Sequence, residues 1–349
     1  MSAPRSPPEW RRNGAFEEQA HPHDHAAAEE VEAAAEAAQG RHQGQRREAA
    51  APQAGAREEK PAVAASSSRA RTRAGERAAS KGHGLTGQAP ARPAGARPPT
   101  RAYLAAMLAE ARVGTIGFAY REWSGHVYPP EASPQQFLPL YAERLSGVEI
   151  ASLPPQLAES WAASVPPSFQ FAVKAPGRVA SELASGKGAV RAMAAFMDVA
   201  VRLGDSLGPV LIQIPGSRRA DLRALASFLE ALPEGLRVAF DFRHPSWRDD
   251  ATLRLLSKHD VALVLNDEGE GAPRIELTAG FTYVRIRRDD DGPEALDEWA
   301  ERLGGLARRG IDVYAFLKHD RKGLAVDRAM RLSSLLRAES QVGETAMLS

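Results

Sequence analysis

From residue 113 onward the apolar positions follow two alternating periods. Runs of five to seven residues rich in Val, Ile, Phe and Tyr are separated by stretches whose apolar residues recur every three to four positions. The first pattern predicts strands and the second amphipathic helices. The predicted strands are VGTIGF (113–118), GVEIA (147–151), FQFAVK (169–174), PVLIQI (209–214), RVAFDF (237–242), VALVLN (261–266), FTYVRIR (281–287) and VYAFLK (313–318). Helical patterns lie between them. SPQQFLPLYAERL opens with a capping Ser and a Pro suited to the first helical position. PEALDEWAERLGGLARRG stops at Gly310. The connection EGEGAPRIELTAG, between strands six and seven, has no helical period and reads as a loop. Strands alternating with helices imply a parallel sheet with helices outside. Eight such units fit a TIM-like (β/α)8 barrel, with a doubly wound open sheet as the alternative.

The first hundred residues have a different composition. Ala, Arg, Gly, Pro, Glu, Gln and Ser dominate, and large apolar side chains are nearly confined to Trp10, Phe16, Val31, Val63 and Leu85. Such a segment cannot bury enough surface to offset chain entropy. The sequence therefore predicts a disordered tail over 1–105, a barrel over 106–338 and a flexible C-terminus over 339–349. Charge is segregated in the tail: residues 41–100 carry twelve Lys or Arg against four acids. The whole chain of 349 residues nevertheless has a formal net charge of +1, which argues against a protein that coats nucleic acid generally. It contains no cysteine, which removes disulfides, thiolate metal sites and cysteine nucleophiles from consideration. No apolar run approaches a membrane span, and the start lacks a signal-type apolar core. A soluble, cytoplasmic protein without a membrane partner is expected.

Strand parity then sorts the polar residues. Side chains alternate across a strand. With Phe169, Phe171 and Val173 toward the helices, Gln170, Ala172 and Lys174 face the barrel axis. The same reasoning turns Glu149, Gln213, Asp241, Arg243, Arg285 and Arg287 inward. It puts Asn266 and Lys318 at strand ends and Thr115 and Gly117 on the inner face of strand one. The polar members crowd toward the C-terminal strand ends, where barrel enzymes keep their active sites. Lys174, Arg243, Arg285, Arg287 and Lys318 outnumber Glu149 and Asp241, and a cation surplus suits a small anionic ligand such as a phosphate or carboxylate. The alternative is a buried ion-pair network in which the arginines neutralise the two acids. Glu149 and Lys174 are expected within salt-bridge reach, directly or through one water. His244 and His319 follow strand ends and stand ready to enter the site. Trp123, Tyr128 and Trp247 fit either a pocket mouth or loop packing. No phosphate-binding glycine loop or nucleophile elbow occurs; a metal could draw on Glu149, Asp241, His244, Asp267 or His319, but their spacings match no particular site, and the sequence does not identify a cofactor.

The stretch AFDFRHPSW (239–247) resembles the signature of the domain-of-unknown-function family 72, the YecE-like proteins. GFAYREWSGHVYPP (117–130), VEI (148–150), FQFAVKAP (169–176), LGPVLIQIP (207–215), TYVRIR (282–287) and His319-Asp320 match in the expected order. The resemblance implies a TIM-barrel-like fold and no settled activity. It pairs Glu149, Lys174 and Gln213 with the polar residues of that family's second, third and fourth strands, and Asp241 with its usual Glu. Arg243, His244, Trp247 and Arg285 match outright. The sequence departs from the pattern after Glu149, where ASLPPQL replaces a polar and aromatic loop, and at Arg287-Arg288 and Lys318-His319. Two function classes follow. One is an enzyme that uses Glu149 or Asp241 as general acid or base, with Lys174, on a small anionic or phosphorylated substrate held by Arg243, His244, Arg285, Arg287, Gln213, Asn266, Trp247, Lys318 and His319. The other is a nucleic-acid-binding or nucleic-acid-processing protein, or a diverged barrel that binds without catalysis.

Overall fold

The computed structural model describes residues 109–183, 187–267, 273–288 and 293–348. The tail expectation over 1–105 lies outside them. Eight parallel strands form one sheet: β1 Ala111–Thr115, β2 Gly147–Ile150, β3 Gln170–Lys174, β4 Leu207–Ile214, β5 Val238–Phe242, β6 Ala262–Asn266, β7 Phe281–Ile286 and β8 Asp312–Leu317. Their order is β1-β8-β7-β6-β5-β4-β3-β2, and the two ends meet to make a nearly closed barrel. All eight predicted strands are present, and the bridge between β1 and β2 closes the sheet and excludes the open-sheet alternative.

Among the described residues eight α-helices accompany them: α1 Pro134–Ala142, α2 Ala158–Ala163, α3 Gly177–Leu183, α4 Lys187–Ala200, α5 Leu222–Glu230, α6 Asp250–Lys258, α7 Pro293–Ala307 and α8 Leu324–Leu348. Local chemistry fixes several starts. Pro134 occupies the first position of α1, and the Gln136 side chain accepts the Ser133 backbone N–H at 2.8 Å. Asp221 accepts N–H groups of Arg223 and Ala224 at 3.1 and 3.0 Å to start α5. Gly310, at φ 80°, supplies the left-handed step after α7. Between β6 and β7 no helix occurs among the described residues. There the Thr278 hydroxyl donates to the Val261 carbonyl at 2.7 Å and accepts the Leu263 N–H at 3.0 Å, tying the connection along β6. Helix α8 continues to Leu348, through the stretch expected as a flexible C-terminus. Its residues from Met330 on are mostly helix formers, which favours extension.

Two apolar layers result. Phe169, Phe171, Val173, Val210, Ile212 and their neighbours pack between sheet and helices. Ala172, Leu211, Ala239, Phe281, Tyr283, Tyr314 and Phe316 fill the barrel interior. Both follow the predicted parity on seven strands. Strand β1 is the exception. Arg112 and Gly114 are in register with Tyr314 and Phe316, so Arg112, Gly114 and Ile116 share the inner face. Thr115 points outward instead, and its hydroxyl lies 2.9 Å from the Tyr141 hydroxyl of α1. Gly117, at φ 82°, lies beyond the strand. In a strand of small and apolar residues, one threonine is a weak guide to face.

The β1–β2 seam closes with a single parallel bridge, Ile116 to Glu149, and the Gly117 N–H donates to the Glu149 carbonyl at 2.7 Å. Tyr141 completes it. Its hydroxyl accepts the Thr115 N–H at 2.8 Å and donates to the Gly147 carbonyl at 3.2 Å, doing the work of a ladder hydrogen bond. Burial keeps this phenol protonated by pushing its pKa well above the usual value. Gly114 is required at the seam because a Cβ there would overlap the Gly147 carbonyl.

Candidate active site

The C-terminal mouth is floored by an ionic network that draws on four strands. Glu149 on β2 and Asp241 on β5 are both 1% exposed. Arg285 on β7 lies between them. Its Nη2 donates to Glu149 Oε1 at 3.0 Å and its Nη1 to Asp241 Oδ2 at 3.2 Å. Arg243, just past β5, contacts the same Asp241 Oδ2 at 2.8 Å. Asn266 at the end of β6 donates its amide N–H to Asp241 Oδ1 at 2.9 Å. Tyr283, two residues before Arg285 and therefore on the same face, donates to Glu149 Oε2 at 2.8 Å. Burial first, and the Glu149 charge second, hold the Tyr283 phenol protonated well above its ordinary range.

This arrangement corrects two expectations. Glu149 makes no direct ion pair with Lys174, and its two oxygens accept from Arg285 and Tyr283 instead. Among the described residues Lys174 forms neither an ion pair nor a side-chain hydrogen bond. It lies at the end of β3, half-buried, in register with the inward Leu211. Nor does Arg285 present an open fork to an anion, since its two terminal nitrogens are engaged with carboxylates. The ion-pair alternative describes Arg285 correctly.

The remaining candidates divide between the mouth and its frame. Gln213 is in register with Asp241 and half-buried on the inner face. Lys318 and Arg287 carry the inward parity of β8 and β7 past the strand ends, and the Lys318 N–H donates to the Ile286 carbonyl at 2.8 Å. The Arg287 N–H donates to Asp267 Oδ1 at 2.6 Å. His319 stacks on Tyr120, with ring centroids 4.3 Å apart. His244 caps the 3₁₀ turn Pro245–Trp247, its Nδ1 accepting the Ser246 N–H at 3.0 Å. Trp247 is removed from the mouth. It is buried, stacks on Phe242, donates to the Arg218 carbonyl at 3.0 Å and lines a separate cleft beside Ala180 and Ala224. Trp123 and Tyr128 also turn out to pack the loop after β1. Trp123 donates to the Asp320 carbonyl at 2.7 Å and Tyr128 to the Phe118 carbonyl at 2.5 Å.

Tyr283 is the site residue the sequence reading missed, although its inward parity was available. The Asn266 side-chain oxygen is buried without a hydrogen-bond donor. Glu149 accepts from two side chains and Asp241 from three, so both are held as oriented carboxylates. No group of three or more His, Asp or Glu side chains among the described residues is arranged to hold a metal. None of the described helices is long and apolar enough to cross a membrane.

A parallel eight-stranded barrel with a polar site at its C-terminal mouth defines the TIM-like class of architecture. Within it, residues 112–348 match the family model described as protein of unknown function DUF72, and the chain belongs to that family. A DUF72 family protein from Thermotoga maritima MSB8 is similar at 27% identity and a TM-score of 0.59, covering 65% of this chain and 99% of that one. A DUF72 family protein from Enterococcus faecalis V583 shares the fold at 17% identity and a TM-score of 0.53, covering 65% of this chain and 95% of that one. No curated protein matches the chain.

Proposed function

We propose that the mouth of this barrel takes a small anionic substrate. Lys174 is its charged contact, and the Glu149–Arg285–Asp241 network is the rigid floor that positions it. The observation that carries this reading is the charge balance of the inner face. Glu149 and Asp241 are offset by Arg285 and Arg243, which leaves the Lys174 ammonium as surplus positive charge on a partly desolvated wall. The Asn266 oxygen adds an unused buried acceptor for a ligand hydroxyl or amine. If chemistry follows binding, Lys174 is the group suited to stabilise developing negative charge. Glu149 and Asp241 then act as positioning residues, because their acceptor sites are largely occupied. A cytoplasmic site of action accompanies the reading, in keeping with a chain that has no cysteine.

Malonate is a suitable probe. Crystals soaked in it should show density within hydrogen-bond distance of Lys174 Nζ, and calorimetry should show Lys174→Ala weakening malonate binding about tenfold. Density elsewhere, or unchanged affinity in the variant, would remove the reading and leave the network as a structural element alone. Tight binding to nucleic acid with a steep salt dependence would point to phosphate-backbone recognition instead.

A further inference from the structure

Beyond the floor, a cavity of about 300 Å³ opens where β8 passes into α8. It is lined by Lys318, Asp320, Arg321, Lys322, Leu324 and Arg328, so among the described residues four basic side chains face one acid. That acid is already engaged. Asp320 accepts backbone N–H groups of Lys322, Leu324 and Ala325 at 2.7, 3.2 and 2.6 Å, closing the turn into α8. Its carbonyl accepts the Trp123 indole N–H, and Gly323, at φ 80°, lies so close to Val127 that a Cβ would come within 2.7 Å. The loop that carries the cations is therefore clamped against the β1 loop.

Arg328 supplies an independent sign of a ligand. Its Nη1 donates to the Arg288 carbonyl at 3.2 Å, which fixes the guanidinium. Its Nη2 is buried and has no hydrogen-bond acceptor. A buried charged donor without an acceptor is costly, and a turn of the guanidinium about its Arg288 contact toward the adjacent cavity would give Nη2 an oxyanion acceptor. Four cations also exceed what a carboxylate needs, whereas a phosphate monoester brings close to two negative charges and three terminal oxygens.

We propose that this rim cavity binds the phosphate group of a phosphorylated small molecule. The nature of the attached body rests on the anionic-substrate reading above; the phosphate contact does not. Lys318 connects the two places. It continues the inward face of β8 two residues past Phe316, which is in register with Arg285. At strand rise that is about 7 Å further toward the rim, the span of a small phosphorylated acid or sugar.

The test is calorimetry of the full chain with inorganic phosphate at low ionic strength. Wild-type protein should bind phosphate, and Lys322→Ala and Arg328→Gln should each weaken it about tenfold. Arg223→Ala, an exposed charge on α5 away from both places, should leave phosphate affinity within about twofold. Lys322 is exposed, so its variant keeps the fold even if Arg328→Gln does not. Absence of phosphate binding, or binding that neither rim variant alters, would overturn the proposal. Loss of phosphate binding in Lys174→Ala alone would overturn it while leaving the floor reading intact. Rim-dependent phosphate binding together with malonate binding insensitive to Lys174→Ala would keep the rim site and remove the floor reading.

Discussion

Arg285 is the cation that pairs with the buried Glu149, and it shares Asp241 with Arg243. Replacing it with Ala strands the Glu149 carboxylate in the interior, and the loss should be about 3–5 kcal/mol in urea denaturation. Tyr283 and Tyr141 make a prediction about pH. Both phenols are kept protonated by burial, while in the unfolded chain they ionise at about pH 10. Their contribution to stability is therefore complete below that pH and declines as pH rises beyond it. Urea midpoints measured from pH 8 to 11 should fall at the alkaline end, and less steeply in Tyr283→Phe. At this scale the sequence was informative about facing and silent about partners. Alternation in FQFAVK and FTYVRIR turned Lys174 and Arg285 inward correctly. It could not show that Arg285, reaching from β7, would take the Glu149 carboxylate in place of Lys174. Parity assigns a face, whereas pairing depends on which head groups meet across the barrel.

Strands and most helices were legible because period, caps and stops agree. Ser133-Pro134 and Gly310 mark their ends by mechanisms that need no tertiary context. Helix α3 was missed because Gly177–Leu183 is short and its formation depends on packing Val179, Ala180 and Leu183 beneath it. The seam was invisible for the same reason, since a tyrosine hydroxyl standing in for a ladder bond leaves no periodic trace. Its weight can be measured. Tyr141→Phe removes the partner of the Thr115 N–H and the Gly147 carbonyl, and should cost about 1–3 kcal/mol in chemical denaturation. Gly114→Ala forces β1 away from β2, and should cost about 3 kcal/mol or more. Because Glu149 is the β2 residue of the bridge, both variants should also disturb the ionic floor.

For the molecule as a whole, the division between a tail and a barrel came from composition alone. With so few large apolar side chains before residue 100, removing residues 1–100 is expected to leave the thermal midpoint within about 2 °C. A fall of about 10 °C on scanning calorimetry would mean that the segment contributes to the core. The placement of cations was legible only in part. Lys318 was recognised through its strand, but Arg321, Lys322 and Arg328 belong to a turn and a helix whose proximity depends on the closed barrel.

The strand order has a consequence for how the chain is made. Strands β2 to β7 each pair with a sequence neighbour and can do so as they leave the ribosome. Strand β1 shares only one bridge with β2, and its continuous ladder is with β8, with Glu110 bonded to a residue 202 positions later. At ordinary elongation rates that interval is roughly 10–40 s. For that time β1 is a nascent strand with an open edge, held on its β2 side by the Ile116–Glu149 bridge and by the Tyr141 and Ser146 hydroxyls. The Glu149–Arg285 contact is delayed in the same way, so the site takes shape only after β7 has been made.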